Sequence, residues 1–426
     1  MENFYLVEYI KNNFKIDRDI LDSIKYELDQ SIYYYGNHFK YPREKHGEDI
    51  SANIKHLLFK YLYIFKVIAA NKSVSCNKKN IISNAYFNFN QELEKIGYGV
   101  YKPFGNSSFK NVINNLKMYF ATEHIKDLFK KETFRYIIDD EFMDIIRNYK
   151  IALKDYYIRN GINAIVVPYD MPFFENVSLK IFKEISRPSF VFLHGLPGRY
   201  NNVDENRADY LIVWGEKIKE NYIKAGISGD KIFVSGHPYY KKWSAVSKDL
   251  KFNFENILVI TKSLPGAQQS DMVRLCDRGN SILYLYSIEN VLKKMGIKSV
   301  RLRLHPSENN KWYSRFIDTE FYKIDSNDLA DSLIKSTLVI GPSSTALLES
   351  VYYRVNYLVY EPSEHNVDLI NYELVPPFDG SDVRIPVAKN ESQLEDLLKK
   401  KISVDSSCFT EYIKTPFDIG FIRDIV

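Results

Sequence analysis

Two short apolar runs in the last third of the chain constrain its fold more than any other feature. Residues 300–304 (VRLRL) and 338–340 (LVI) read as buried parallel strands. Each stops abruptly at small or polar residues: His305-Pro306-Ser307 after the first, Gly341-Pro342-Ser343-Ser344-Thr345 after the second. In an open α/β sheet, ligands bind just beyond the carboxyl ends of the strands. The second run is followed by a predicted helix over 346–353. Ser343, Ser344 and Thr345 therefore fall where hydroxyls and free backbone N–H groups meet a helix start, which suits an anion. Taken singly, a His-Pro is a turn and a Ser-Ser-Thr is a cap. In order, on sequential strands, they are expected to form a phosphate clamp.

A chain of 426 residues is long for one domain, and two are expected. The apolar share of 45% against 26% charged residues describes a globular protein. A net charge of +4 gives no sign of a dedicated nucleic-acid surface. Cys76, Cys276 and Cys408 are odd in number and far apart, with neither metal spacing nor a disulfide framework. The first twenty residues interleave charges with apolar groups, unlike a signal peptide. No run approaches the roughly 20 apolar residues of a spanning helix. The expected location is the cytoplasm.

Residues 1–75 read as helical, with a polar connection holding His38 and His46, both expected to be solvated. A strand is predicted at 81–89 and mostly helical structure to about 150, with the acidic run Asp139-Asp140-Glu141 inside a helix. A regular βαβ rhythm then begins. Strands are predicted at 163–168, 189–193, 210–214 and 231–235, with helices at 174–184 and 216–225. The strand ends carry Tyr169-Asp170, His194-Gly195-Leu196-Pro197 and Gly236-His237-Pro238. The charged aromatic stretch 239–253 reads as a linker. A second α/β set opens with a strand at 256–261, ending in Lys262-Ser263-Leu264-Pro265-Gly266, and a long helix to about 294. Residues 1–240, 241–405 and 406–426 are expected to form a first domain, a second domain and a tail packing back on the first. The fold class is α/β: two Rossmann-like domains whose parallel sheets face each other across a cleft.

Leu304-His305-Pro306 and Pro342-Ser343-Ser344-Thr345 resemble the His-Pro and Ser-Ser/Thr motifs of bacterial GT-B glycosyltransferases that use CMP-activated nonulosonic sugars, the sialyl-, polysialyl- and Kdo-type capsule enzymes. The resemblance covers roughly residues 160–365. It implies a GT-B fold and a second domain that binds the donor nucleotide. His305, Pro306, Gly341, Ser343, Ser344 and Thr345 would lie at its phosphate, and Glu349 at its ribose. The acceptor implied is a capsule or lipopolysaccharide glycan, lipid-linked by analogy, with the enzyme at the inner face of the membrane. One departure is plain: the paired acidic motif followed by glycine, which supplies the base in such sialyltransferases, is missing. Its nearest replacements are Asp170 and the pair Asp204-Glu205. A second likeness competes for this region. His194-Gly195-Leu196-Pro197 is similar to the His-Gly-Thr-Pro segment of the CDP-glycerol and ribitol phosphotransferases of teichoic acid synthesis, and Gly236-His237-Pro238 to their Gly-x-Pro. A UDP- or GDP-sugar GT-B enzyme remains a third reading.

The chemistry asks for donors aimed at a departing phosphate and a base for the acceptor hydroxyl. His305, Ser343, Ser344 and the N–H groups at Thr345 suit the first task, with Lys262 and Ser263 as an added phosphate nest. No Asp-x-Asp lies in a loop assigned to the site, so no metal or other cofactor is expected. Asp170 and His194 are candidates for the base, and Asp170 for a nucleophile if the enzyme retains configuration. His237 reads equally as a site group or a turn residue.

Overall fold

A computed structural model describes residues 10–36, 79–101, 109–136, 139–200, 208–240, 249–262, 279–306, 308, 310–363 and 373–426. Its strands fall into two sheets. The first contains β1 (Asn80–Ser83), β2 (Gly99–Tyr101), β3 (Ile162–Val167), β4 (Ser189–Phe192), β5 (Tyr210–Val213) and β6 (Ile232–Val234), in the order β2-β1-β3-β4-β5-β6. The second contains β7 (Ile257–Ile260), β8 (Val300–Arg303), β9 (Tyr322–Ile324), β10 (Leu338–Gly341), β11 (Tyr357–Tyr360) and β12 (Val387–Ala388), in the order β12-β11-β10-β7-β8-β9. Every pairing is parallel. Counted from β7 as strand 1, the second sheet runs 6-5-4-1-2-3, the Rossmann order, and its direction of winding reverses between β7 and β10. The first sheet runs 2-1-3-4-5-6, a flavodoxin-like order that reverses between β1 and β3.

The central strands are apolar because helices cover both faces. β7, β10 and β11 are buried at every position, so no residue in them has a polar side to face. On one face of the first sheet lie the helices Arg18–Gly36, Asp140–Arg159 and Phe173–Glu184. Phe142, Ile146, Tyr149, Leu153 and Tyr156 recur every three or four residues and form the buried stripe of the second of these. The acidic run expected inside a helix instead starts it. Asp139 is the N-cap, accepting from the Glu141 N–H at 2.8 Å, and Asp140 and Glu141 complement the helix dipole.

The strand expected over 81–89 is cut short after Ser83. Phe87 and Phe89 leave the sheet and pack edge-on or tilted against Phe192, with Phe87 also on Trp214. β2, β9 and β12, each two or three residues long, are too short to leave an apolar period in the sequence.

One hydrophobic core runs through both sheets, joining Phe192 and Trp214 to Val339, Leu347, Tyr357 and Phe409. Residues 408–426 lie against the first sheet. The Lys414 N–H donates to Trp214 O (2.8 Å) and the Asp418 N–H to Ser235 O (2.7 Å), while Phe421 stacks on Phe233. The crossing is tight: a Cβ on Gly215 would lie 2.2 Å from Glu411 O, and one on Gly236 2.3 Å from Lys414 O. Gly236 also has φ +83°, where a side chain is strained regardless of space.

Candidate functional site

The carboxyl edge of the second sheet gathers side chains from four successive strands. Glu361 follows β11, Ser343 follows β10, Thr261 and Lys262 follow β7, and His305 follows β8. This is the switch point of the domain, where a Rossmann-like sheet opens a crevice. Lys262 Nζ lies 3.0 Å from Ser343 Oγ and 2.5 Å from Glu361 Oε1. The same carboxylate oxygen accepts from the Ser343 N–H at 2.6 Å and from its hydroxyl at 2.5 Å. Glu361 is only 4% exposed, and its charge is tolerated there because Lys262 and two Ser343 donors satisfy it. It was not anticipated from the sequence. Its one signal was an acid standing directly after the apolar run 357–360 (YLVY).

The His305 turn is held by a second acid. The His305 N–H donates to Thr261 Oγ1 and to Glu308 Oε2, both at 3.0 Å. Glu308 also accepts from the hydroxyls of Thr261 and, at 2.5 Å, Tyr313. Desolvation pulls the His305 imidazole below its ordinary pKa, so at neutral pH it is a neutral ring beside the clamp. Pro306 follows it in the exposed turn.

The first sheet presents a different edge. His194, after β4, sets Nδ1 3.2 Å from Pro168 O. A carbonyl only accepts, so Nδ1 carries the proton and Nε2 keeps its lone pair. Desolvation lowers the pKa of the ring, against a smaller upward pull from the Pro168 carbonyl. Tyr169 meets the ring edge-on at 5.3 Å and Tyr86 lies 6.3 Å away. Around the β1–β3 switch point, Asn84 Nδ2 donates to Glu175 Oε1 (3.3 Å) in the first turn of Phe173–Glu184. The Phe173 N–H donates to Glu27 Oε1 at 2.6 Å, and Glu27 Oε2 is buried without a hydrogen-bond partner among the described residues. Burial raises the Glu27 carboxyl to about 8, with the Glu175 charge adding to the shift, and burial raises Glu175 to about 7.

The two edges touch. The Leu196 N–H, two residues past His194, donates to Thr345 Oγ1 at 2.9 Å, and a Cβ on Gly195 would come within 3.2 Å of the same oxygen. Thr345 therefore does not cap the helix Ala346–Tyr352 with its side chain; its hydroxyl receives the first-domain loop. Ser344 Oγ accepts the Ala346 N–H at 3.3 Å.

Other expected site residues lie elsewhere. Asp170 is 4% exposed, and the N-cap of the following helix is Pro172. His237 is 2% exposed, stacked on Tyr240 and edge-on to Phe87 and Trp214. Its Nδ1 accepts the Tyr239 N–H, and burial drives its pKa down to about 3, so it is a neutral core ring. Gly341 is a packing glycine: a Cβ there would meet Tyr357 Oη at 2.3 Å and Ile260 Cγ1 at 2.5 Å. Glu349, raised to about 7 by burial, is hydrogen-bonded to Tyr240, which stacks on His237 between the domains. Asp204, Glu205 and Ser263 lie outside the described residues, as do His38 and His46. Among the described residues no three His, Cys, Asp or Glu side chains gather as a metal site, and no helix is long and apolar enough to cross a membrane.

These sheets and edges define an α/β protein of the GT-B class, two Rossmann-like domains meeting at their carboxyl edges. No family model matches the chain, and no curated protein does. Solved structures similar to it include the UDP-GlcNAc 2-epimerase from Neisseria meningitidis bound to UDP-GlcNAc, with TM-score 0.44 and 13% identity over 82% of this chain and 98% of that one. The lipopolysaccharide outer core galactosyltransferase WaaB in its apo form has TM-score 0.40 and 12% identity over 82% and 97%. The wall teichoic acid polymerase TagF has TM-score 0.36 and 14% identity over 63% and 73%. Likeness at this level decides neither substrate nor activity.

Proposed function

We propose that the chain is a glycosyltransferase that moves a nonulosonic sugar from a CMP-activated donor to a hydroxyl of a bacterial surface glycan. The observation that carries this reading is the junction of the two edges. A cationic, hydroxyl-lined group (Lys262, Ser343, Ser344) stands beside Thr345, which receives the loop bearing His194. On this reading the donor phosphate lies along the second edge, with His305 at its flank. The acceptor hydroxyl loses its proton to His194 Nε2 as its oxygen bonds the anomeric carbon. The bond from that carbon to the phosphate oxygen breaks, and CMP leaves with the electron pair, its charge met by Lys262 and the serine and threonine hydroxyls. The residues named do this without a metal. Asp170, buried as it is, fits neither the base nor the nucleophile role as well as His194.

One observation favours a second reading. The histidine in the base position belongs to the His194-Gly195-Leu196-Pro197 loop, the segment similar to CDP-glycerol and ribitol phosphotransferases. There the acceptor oxygen would attack phosphorus instead, again releasing CMP.

The test is CMP release from CMP-sialic acid, CMP-Kdo, CDP-glycerol and CDP-ribitol, with UDP- and GDP-sugars as controls and an oligosaccharide acceptor present. Turnover of a CMP-sugar, lost in His305→Ala and Ser343→Ala, is the expected result. Turnover of a CDP-polyol establishes the second reading. Turnover of only UDP- or GDP-sugars overturns both cytidine readings, and binding without turnover of any donor overturns the assignment as an enzyme.

A further inference from the structure

Three donors converge on one oxygen at the second edge. Glu361 Oε1 receives the Ser343 N–H, the Ser343 O–H and Lys262 Nζ at 2.5–2.6 Å. A phosphate oxygen in the same crevice would call on these same groups. Counting hydrogens shows what is left over. Both Ser343 donors are spent on Glu361. Lys262 has three N–H bonds, of which one goes to Glu361 and one to Ser343 Oγ, leaving one. The Ser344 and Thr345 oxygens each accept a backbone N–H, from Ala346 and Leu196, and their hydroxyl hydrogens have no partner among the described residues. With the Ser344 and Thr345 N–H groups at the helix start, for which no acceptor lies among the described residues, five donors remain, and the one lysine charge among them is already paired with a carboxylate at 2.5 Å. His305 adds no charge at neutral pH. Arg303 is turned to the backbone oxygen of Asn327, and Arg301 to Asp325.

One phosphodiester has two non-bridging oxygens and a single negative charge, which these donors can hold although only one of them is charged and that charge is already compensated. A pyrophosphate brings four such oxygens and two charges into a crevice that already contains a fixed carboxylate, and like charges at close range repel strongly where water is excluded. We propose that Glu361 is a specificity-determining residue that limits the donor to one with a single phosphate between nucleoside and transferred group, disfavouring nucleoside diphosphate donors. The inference rests on the reading of this edge as the donor-phosphate site. It adds a reason, internal to the chain, for a CMP-linked rather than a pyrophosphate-linked donor.

The experiment is calorimetric titration of the wild-type chain, Glu361→Gln and Glu361→Asp with CMP and with CDP, without divalent cation; as free nucleotides they carry about two and about three charges at neutral pH, so the pair differs by the one phosphate and one charge at issue. The glutamine keeps acceptor oxygen and shape and removes the charge. The aspartate keeps the charge. Wild type is expected to bind CMP about tenfold or more tighter than CDP, Glu361→Asp to keep that ratio, and Glu361→Gln to narrow or reverse it by about tenfold. Equal affinity of wild type for CMP and CDP overturns the inference, and this holds even if the glutamine variant does not fold. So does a ratio unchanged in Glu361→Gln, or moved alike by Gln and Asp, either of which leaves Glu361 a structural group while the phosphate site stands. Failure of wild type to bind either nucleotide, with Lys262→Met indistinguishable from it, overturns the donor-site reading together with the inference.

Discussion

The two carboxyl edges that meet at Thr345 are built from opposite materials. The second-domain edge is a lattice of matched charges and hydroxyls: Lys262 against Glu361, Ser343 donating twice, and Glu308 tying Thr261 to the His305 turn. The first-domain edge has rings and acids whose burial outweighs the one counter-charge they feel, that of Lys126 on Glu175. Tyr86, Tyr169 and His194 face one another, and Glu27 and Glu175 sit beneath them, both shifted upward by burial. Under the proposed function, the matched edge is the one that would hold the donor's anion. Glu27 and Glu175, raised by desolvation to about 8 and about 7, titrate near neutrality, and under the proposed function this is the edge that would exchange a proton with the acceptor. Under the proposed function the contrast would divide anion binding from proton transfer between two parallel six-stranded sheets.

The strongest way to break the contrast is to remove the ring that makes the first edge chemical. His194→Ala is expected to lower kcat by about a hundred- to ten-thousand-fold with little change in donor affinity. If His194 is the base, the lowered imidazole pKa of the unsubstituted chain places the acid limb of kcat/KM below pH 6.5. A loss of donor binding instead would move His194 to the other edge.

The buried acids give a smaller, pH-dependent effect. Glu27 has its folded pKa raised to about 8, so the folded state holds its proton more tightly than the unfolded one. The stability this confers is fully present below the unfolded value near 4.5 and is lost as the pH rises through about 8. Glu27→Gln should match the parent in thermal melts at pH 4.5 and exceed it by about 1–3 kcal/mol at pH 8. A variant no more stable at pH 8 would mean that the carboxylate is paired after all.

The smallest effect belongs to Tyr86, 70% exposed at the mouth of the cleft. Tyr86→Ala should leave the melting temperature alone and raise the acceptor KM by about 3- to 10-fold through lost ring contact. A rise in donor KM of the same size would erase the distinction between the edges.

Much of this was legible in the sequence, and the parts that were not share a cause. Strands β3 to β7 and β10 could be read because each is a mostly apolar run bounded by small or polar residues, and β8 because Val300, Leu302 and Leu304 alternate with two arginines. The His305 and Ser343 turns could be read because parallel strands put function at their ends. Pairings across long stretches of chain could not. Glu27 meets Phe173 from 146 residues away, and Lys262 meets Glu361 across 99. Nothing local marks either acid. Gly341 and His237 misled for a related reason. A glycine or histidine in a turn looks the same whether it makes room for a ligand or for Tyr357, and whether it faces the cleft or stacks under Tyr240. Asp139 reads as mid-helix in the sequence because no glycine or proline interrupts residues 122–159, and its cap geometry has no periodic signature.

The strand of chain that closes over Gly215 and Gly236 has a consequence for biosynthesis. A ribosome releases the first sheet long before it makes residues 408–426, yet Trp214, Phe233 and Tyr98 take partners from that last stretch, the hydroxyl of Tyr98 reaching Ile422 O across 324 residues. Until then the nascent first domain carries an open apolar seam, and loop closure over so many residues is slow. Assembly of the first half must wait for the end of the second, so the two domains reach their native form together and not in order of synthesis.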